Sequence, residues 1–422
     1  MEDFKYIPRL IEHEIEKYIH STGCVVIEGP KWCGKSTTAE RFAKTIRKLQ
    51  DPVIFRQFEL YSRIERGLLL SGEKPILFDE WQKIPDLWDI IRLTIDEAHG
   101  KCGQFILTGS TKPQDDINRH SGVGRFAKIT MHSLSLWESG DSNGSVSLTD
   151  MFNNIKVFGT NDLSLERLIF LLCRGGWPGT VCQNTEDALL APSNYIESLL
   201  NEDLLHVDNI NRNPNRAMRI LKSYARNIST LATNITIQKD TISKDETLDI
   251  NTLSSYLNAF RRLYVIEDIP AWTPNIRGRT TIRNSPKKQL TDPSLAVAAL
   301  ALTPEKLIQD METLGFLFES LCERDLRIYA RYLGGSIFHY HDANNLEIDT
   351  ILELKDGRYG AIEIKLSDKQ ITQATDNLLK FSKKMINDGT VPPAFLMILT
   401  GMSYSYTTNE GIYVVGIGCL KT

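Results

Sequence analysis

The sequence predicts an α/β chain: a parallel-sheet domain built around a glycine-bounded loop, a helix-rich middle, and a second α/β domain at the C-terminal end. Three observations carry this. Residues 29 to 36 form a glycine-bounded loop between an apolar strand and a helical stretch. Two further apolar runs, 75–80 and 104–110, end in acids or hydroxyls. A period-two strand pair, 346–354 and 359–366, carries carboxylates and a lysine between helical stretches.

Composition sets the frame. At 422 residues the chain is long enough for two or three domains, with roughly 150 residues per domain as the guide. Hydrophobic content of 41% and charged content of 24% are those of a globular protein, which excludes a fibrous or wholly disordered chain. A net charge of −4 places any nucleic-acid contact in local patches. The 7 cysteines are scattered without a C-x-x-C pair, against a disulfide framework or a thiolate zinc site. No apolar leader or run of about 18 apolar residues is present. The expectation is a cytoplasmic protein with no membrane partner.

The loop reads Gly29, Pro30, Lys31, Trp32, Cys33, Gly34, Lys35, Ser36, the G-x-x-x-x-G-K-S pattern. Cys24 to Glu28 before it is strand-like, and Thr37 to Leu49 after it is expected to be an amphipathic helix. Gly29 and Gly34 let the backbone bend so that N–H groups face a polyphosphate, and the helix N-terminus adds partial positive charge. Lys35 is expected on the β- and γ-phosphates and Ser36 on Mg²⁺.

The strand Pro75 to Glu80 ends in two acids. Asp79 is expected to hold Mg²⁺, and Glu80 to polarise the attacking water. The strand Gln104 to Ser110 delivers Thr108 and Ser110 to the same sheet edge as γ-phosphate sensors, although a Gly/Ser turn explains these letters too. Between these strands, residues 85–98 have helical spacing, with Trp88 and Ile91 toward the core. Arg125, in His120-Ser-Gly-Val-Gly-Arg125, is either an arginine finger or one half of a surface ion pair.

Together with Leu107-Thr-Gly-Ser110 and Ser133-Leu-Ser-Leu-Trp-Glu-Ser-Gly140, these segments resemble a group of prokaryotic AAA-type ATPases that carry a C-terminal domain of unknown function. The resemblance implies an ATP-binding core of the ASCE kind, Glu80 as the water-activating acid and Arg125 as a finger. It supplies no biological task. If Arg125 acts in trans, a homo-oligomer is required; if in cis, a monomer suffices. No N-K-x-D guanine signature is present.

The expected division is 1–160 for the P-loop ATPase domain, 161–210 for a helical lid or linker, 211–300 for a winged-helix domain and 301–422 for a nuclease-like domain. Arg174-Gly-Gly-Trp-Pro-Gly179 breaks the chain where a lid would begin, and a plain interdomain turn is the simpler account. Helix-like segments at 215–226 and 251–263 followed by the strand-like 264–269 have winged-helix order. Two base-rich, acid-free runs, 212, 216, 219, 222, 226 and 277, 279, 283, 287, 288, suggest a stripe for double-stranded DNA, while a protein-docking face has the same signature.

In the C-terminal third, Asp349 lies on one strand and Glu363 and Lys365 share a face of the next. Two carboxylates able to share a divalent cation, with a lysine beside them, suit metal-assisted phosphodiester hydrolysis. A cross-strand salt bridge accounts for the same letters. The pattern resembles the PD-(D/E)xK nuclease superfamily, with an α-β-β-β-α-β order, Glu319 on the upstream helix and Gln373 on the downstream one; Ile348 stands where that superfamily's name has proline. The resemblance implies a restriction-endonuclease-like fold, in which cleavage is often lost. His339 and His341 are expected to be ordinary strand residues.

Two functions stand at this point. One is an ATP- and Mg²⁺-dependent hydrolase associated with DNA, its nuclease-like domain either cutting or silent. The other is a nucleotide-dependent switch or scaffold that binds a protein or nucleic-acid partner without cleavage.

Overall fold

The computed structural model describes residues 6–112, 122–181, 183, 186–208, 210–242, 248–274 and 285–422. By packing, the chain forms two compact units: Met1–Ser133 with His206–Ile210 and Ala259–Tyr264, and Leu134–Leu205 with Asn211–Asn258 and Val265–Thr422.

The first unit is built on a five-stranded parallel sheet of β1 (Cys24–Glu28), β2 (Thr45–Lys48), β3 (Ile76–Asp79), β4 (Phe105–Gly109) and β5 (Phe126–Thr130), in the order β2-β3-β4-β1-β5. Every residue of β1, β3 and β4 is buried, as a parallel sheet covered on both faces requires. Successive side chains alternate faces. Val26, Phe78 and Leu107 pack with Trp81, Trp88 and Ile91 on one side, while Val25, Ile27, Leu77 and Ile106 pack with Ile15 and Ala39 on the other. Full burial of each such side chain contributes about 1.5–3 kcal/mol. The helix Leu87–Glu97 buries Trp88 and Ile91, and the Trp88 ring stacks on Phe126 at 4.0 Å.

One expected element is replaced. The helix after the loop stops at Glu40, and Thr45–Lys48, read as its continuation, is instead an edge strand paired in parallel with β3. The amphipathic spacing suits a helix, but Lys44 and Thr45 donate their N–H groups to Pro75 O and Ile46 lies opposite Leu77. Pairing with a neighbouring strand outweighs the local preference.

The second unit holds a seven-stranded mixed sheet. Its members are β7 (Phe158–Thr160), β8 (Gly335–His341), β9 (Glu347–Leu354), β10 (Tyr359–Lys365), β11 (Phe395–Thr400), β12 (Tyr404–Thr407) and β13 (Tyr413–Gly416), in the order β7-β12-β13-β11-β10-β9-β8. A separate pair joins β6 (Val146–Ser147) to β14 (Leu420–Lys421) in parallel. Because β6 and β7 find their hydrogen-bond partners in the last 20 residues of the chain, the stretch 134–160 packs with the C-terminal unit. The division falls at 133, not at the expected 160.

Along the chain, the helix Met311–Tyr332, strands β8, β9 and β10, the helix Ile371–Asn387 and strand β11 follow one another. Trp272, Tyr340, Ile351, Phe381 and Ile398 form the core under the second of these helices. In the middle region, the helices Pro214–Arg226, Asn234–Thr241 and Ile250–Arg262 precede two antiparallel bridges, Ile266 to Leu290 and Ile269 to Lys287.

The Arg174–Gly179 motif is structural. Gly176 lies so close to Leu134 that an added Cβ would stand 2.2 Å from its carbonyl oxygen. Arg174 is buried against Asp141 at 2.9 Å, and Trp177 Nε1 donates to Ser294 Oγ at 3.0 Å. Among the described residues no helix is long and apolar enough to cross a membrane.

Candidate nucleotide site and C-terminal carboxylate cluster

Strand β1 ends at Glu28, and the chain must then turn sharply without colliding with its neighbour. Gly29 has φ 154°, and a Cβ there would lie 2.1 Å from Met131 O, so only glycine fits. Gly34 takes φ 98° at the start of the helix Lys35–Glu40. Pro30 and Cys33 are buried, Lys31 is half-buried, and Thr37 and Trp32 are exposed. Lys35, buried, donates from Nζ to Pro30 O at 2.7 Å.

The acids of β3 converge on this loop because β4 lies beside β3 with Asp79 opposite Thr108. Ser36 Oγ donates to Asp79 Oδ1 at 2.6 Å, and Thr108 Oγ1 donates to the same oxygen. Glu80 has the left-handed backbone of φ 58°, a conformation costly for a non-glycine residue. Its N–H donates to Thr108 Oγ1 at 3.3 Å, and its carboxylate accepts from Ser110 Oγ at 3.0 Å and from Gln82 Nε2. Lys35, Ser36, Asp79, Glu80, Thr108 and Ser110 therefore share the C-terminal edge of the sheet.

Arg125 is elsewhere. It precedes β5, its carbonyl accepts from Cys24 N–H, and Cys24 pairs with Phe126 at the N-terminal start of β1. The four rises of β1, about 3.3 Å each, separate it from the end that carries the loop. Its guanidinium binds Asp96 at 2.8 Å and Val123 O at 2.9 Å. Within its own chain Arg125 therefore stands at the opposite end of β1 from the phosphate loop and forms the surface ion pair that was its other reading, which leaves a finger only the route in trans. The preceding residues 113–121, His120 among them, lie outside the described residues.

Three sets of contacts that brace this site carry no motif. Arg9 donates to Cys33 O at 2.7 Å and to His132 O at 2.8 Å, tying the phosphate loop to the chain after β5. Glu28, buried, accepts from Tyr264 Oη at 2.8 Å. Arg262 and Lys112 are joined twice: Lys112 N–H donates to Arg262 O at 2.9 Å, and the Arg262 side chain donates from Nε to Lys112 O at 3.1 Å.

In the second unit, β9 and β10 pair antiparallel with Thr350 opposite Ile362, and the side chains of Asp349 and Lys365 meet just beyond that pair. Lys365 Nζ lies 2.8 Å from Asp349 Oδ2 and 2.7 Å from Glu363 Oε2. Ile364 N–H also donates to Asp349 at 2.7 Å. Burial, reinforced by Asp349, pushes the Glu363 carboxyl up to about 7. For Lys365, burial works to lower the pKa, but Asp349 and Glu363 outweigh it and hold the ammonium above its ordinary value.

Behind them, Lys287 Nζ touches Glu319 at 2.7 Å, Glu323 at 2.9 Å and Asp349 O at 2.7 Å. Burial raises both glutamates above the ordinary carboxylate range. The helix Ile371–Asn387 reaches the site through Asn377, whose Nδ2 donates to Glu363 at 2.6 Å; Gln373, one turn earlier, is exposed. Among the described residues no group of three or more His, Cys, Asp or Glu side chains is arranged to hold a metal ion. The expected metal pair Asp349 and Glu363 thus faces an ammonium group, because Lys365 from the same strand face reaches between them.

The basic runs are also redistributed. Lys287 and Lys288 are buried, Lys288 lying 3.7 Å from Asp268; 277, 279 and 283 lie outside the described residues. Arg212 is buried with Nη2 on Ser255 Oγ at 2.9 Å, and Arg226 pairs with Asp240 at 2.9 Å.

Residues 21–139 match the family model of an AAA domain. This segment is a P-loop ATPase domain. Residues 165–306 and 314–420 of the chain match two domains of unknown function, DUF8612 and DUF4143. The uncharacterized proteins Rv2008c of Mycobacterium tuberculosis and Mb2031c of Mycobacterium bovis are each 23% identical over 361 residues, covering 83% of this chain and 72% of theirs. A solved structure, the Walker-type ATPase PABY2304 of Pyrococcus abyssi, aligns with a TM-score of 0.42 at 12% identity, over 70% of this chain and 99% of that one. The ATPase domain carries the loop, the two acids and the hydroxyls described above.

The residues of the ATPase domain fit Mg²⁺ and ATP. A hydroxyl and a carboxylate already in contact, Ser36 and Asp79, are the oxygen donors a hard cation takes, and Gly29 leaves no side chain over the loop.

Proposed function

We propose that the chain hydrolyses ATP in its P-loop domain, with Glu80 as the residue that orients the attacking water and accepts its proton. The observation that carries this is the shared network in which Thr108 joins Asp79 to the Glu80 backbone while Ser110 holds the Glu80 carboxylate. Lys35 binds the phosphates, and Ser36 and Asp79 would hold Mg²⁺, which would neutralise charge on the phosphate oxygens. Glu80→Gln tests it: retained nucleotide binding with lost turnover supports the role, and unchanged turnover overturns it.

We further propose that the second unit holds a nucleic acid, double-stranded DNA in the first instance, without cutting it. Support comes from Arg216, Arg219, Lys222 and Arg226, which follow one another along a single helix with no acid among them. The test is fluorescence anisotropy of a DNA duplex at rising salt: binding that weakens steeply supports a phosphate interface, and no binding at low salt favours a protein partner and the scaffold reading.

A further inference from the structure

We infer that Lys287 is the resident cation of the C-terminal carboxylate cluster, a chain-supplied ammonium standing where a divalent metal would otherwise sit, so that this unit takes up no Mg²⁺ or Mn²⁺ there. The inference goes beyond the proposed function and does not depend on ATP hydrolysis.

The oxygen set is the first observation. Lys287 Nζ is surrounded by two carboxylate oxygens, from Glu319 and Glu323, and one backbone carbonyl, from Asp349, all within 2.9 Å. Carboxylates plus a main-chain carbonyl are what a hard cation uses. Thr350 Oγ1 also donates to Glu323 at 3.3 Å, and Gln289 Nε2 donates to its other oxygen, so the cluster is ordered around the ammonium.

The second observation is that Lys287 is pinned. Its N–H donates to Ile269 O at 2.9 Å and its carbonyl accepts from Ile269 N–H at 3.0 Å. Next to it, Lys288 N–H donates to Thr230 O at 2.8 Å and Lys288 O accepts from Ser229 N–H at 2.8 Å. The side chain is 1% exposed. The main chain is thus held where the buried side chain reaches the three oxygens. Removing it would leave buried carboxylates without their counter-charge, a costly state that a metal ion would relieve.

The third is that Lys365 fills the adjoining place. Its ammonium lies between Asp349 and Glu363, so two lysines divide the four acids.

The experiment titrates Mn²⁺ into the full-length, nucleotide-free protein carrying Lys35→Ala, followed by calorimetry, with plasmid nicking as a second readout. With Lys287 intact, no Mn²⁺ binding that distinguishes this protein from its Glu319→Gln variant is expected. Lys287→Met, which keeps length and loses charge, is expected to gain one Mn²⁺ site that Glu319→Gln then weakens about tenfold or more. The inference is overturned if the lysine-intact protein binds Mn²⁺ in a manner that Glu319→Gln removes, if it nicks plasmid in a manner that Lys365→Ala removes, or if folded Lys287→Met gains no site. Should Lys287→Met fail to fold, the lysine-intact comparison still decides: a Glu319-dependent site refutes the inference, and none upholds it.

Discussion

The hydroxyl of Tyr264 donates to Glu28 Oε2 at 2.8 Å, although the two residues are 236 positions apart. Glu28 is the last residue of β1 and the immediate neighbour of Gly29, so the approach to the phosphate loop is held by a side chain at the end of the segment Ala259–Tyr264. Lys112, which follows the Ser110 strand end, lies over the same ring at 4.9 Å.

Tyr264→Phe keeps the ring and removes the donor to a buried carboxylate. A hydrogen bond to a charged group contributes about 1.5–3 kcal/mol, so the denaturation midpoint of the variant is expected to fall and its ATP affinity to weaken by about tenfold. Urea unfolding with nucleotide titration checks both. Wild-type behaviour in both would remove Tyr264 from the site.

Glu80→Gln keeps the size of the side chain and its contacts with Ser110 and Gln82 while abolishing its basicity. Loss of a positioned general base is expected to lower kcat by about 10²–10⁴ with nucleotide binding retained. Single-turnover hydrolysis beside a binding assay separates the two effects.

Arg125→Ala removes an exposed ion pair with Asp96 and nothing at the loop of its own chain. Stability is expected to change by less than about 1 kcal/mol, and kcat of dilute monomer to stay within about twofold of wild type. A large loss of activity in dilute monomer would contradict the placement at the far sheet edge. A loss confined to concentrated protein would mark the arginine as acting in trans.

His339 supplies a pH dependence. Burial, then Lys287, lowers its pKa from the ordinary 6.5 to about 4, and its Nε2 faces Ser285 O at 3.0 Å. Between these values the unfolded chain binds the extra proton and the folded one does not. Its contribution is fully present above pH 6.5 and is lost as pH falls toward about 4, with a slope of up to about 1.4 kcal/mol per pH unit. Unfolding midpoints of wild type and His339→Gln across that range are expected to differ in slope, the variant being flatter.

The gathering of the candidate-site side chains at one sheet edge was legible in the sequence because each part is local. Gly29, Gly34, Lys35 and Ser36 sit in one short loop, and Asp79, Glu80, Thr108 and Ser110 each end an apolar strand, where a parallel sheet collects them at one edge. The position of Arg125 was not legible in this way: Gly122, Gly124 and Arg125 read as one glycine-rich segment, and only the parallel pairing of β5 with β1 says at which end of the sheet the arginine stands. The strand at Thr45–Lys48 was hidden because its edge pairing with β3 is non-local, while its spacing mimics a helix.

The sequence by itself determined the chemistry of the phosphate loop, the acids that accompany it, and the strand pair bearing Asp349, Glu363 and Lys365. Only the tertiary structure decided what those groups face. Arg9 on Cys33, Tyr264 on Glu28 and Lys287 on Glu319 and Glu323 are unions of residues distant in the chain. A buried charge must find its partner wherever the fold brings one within reach, and no spacing along the chain records that encounter.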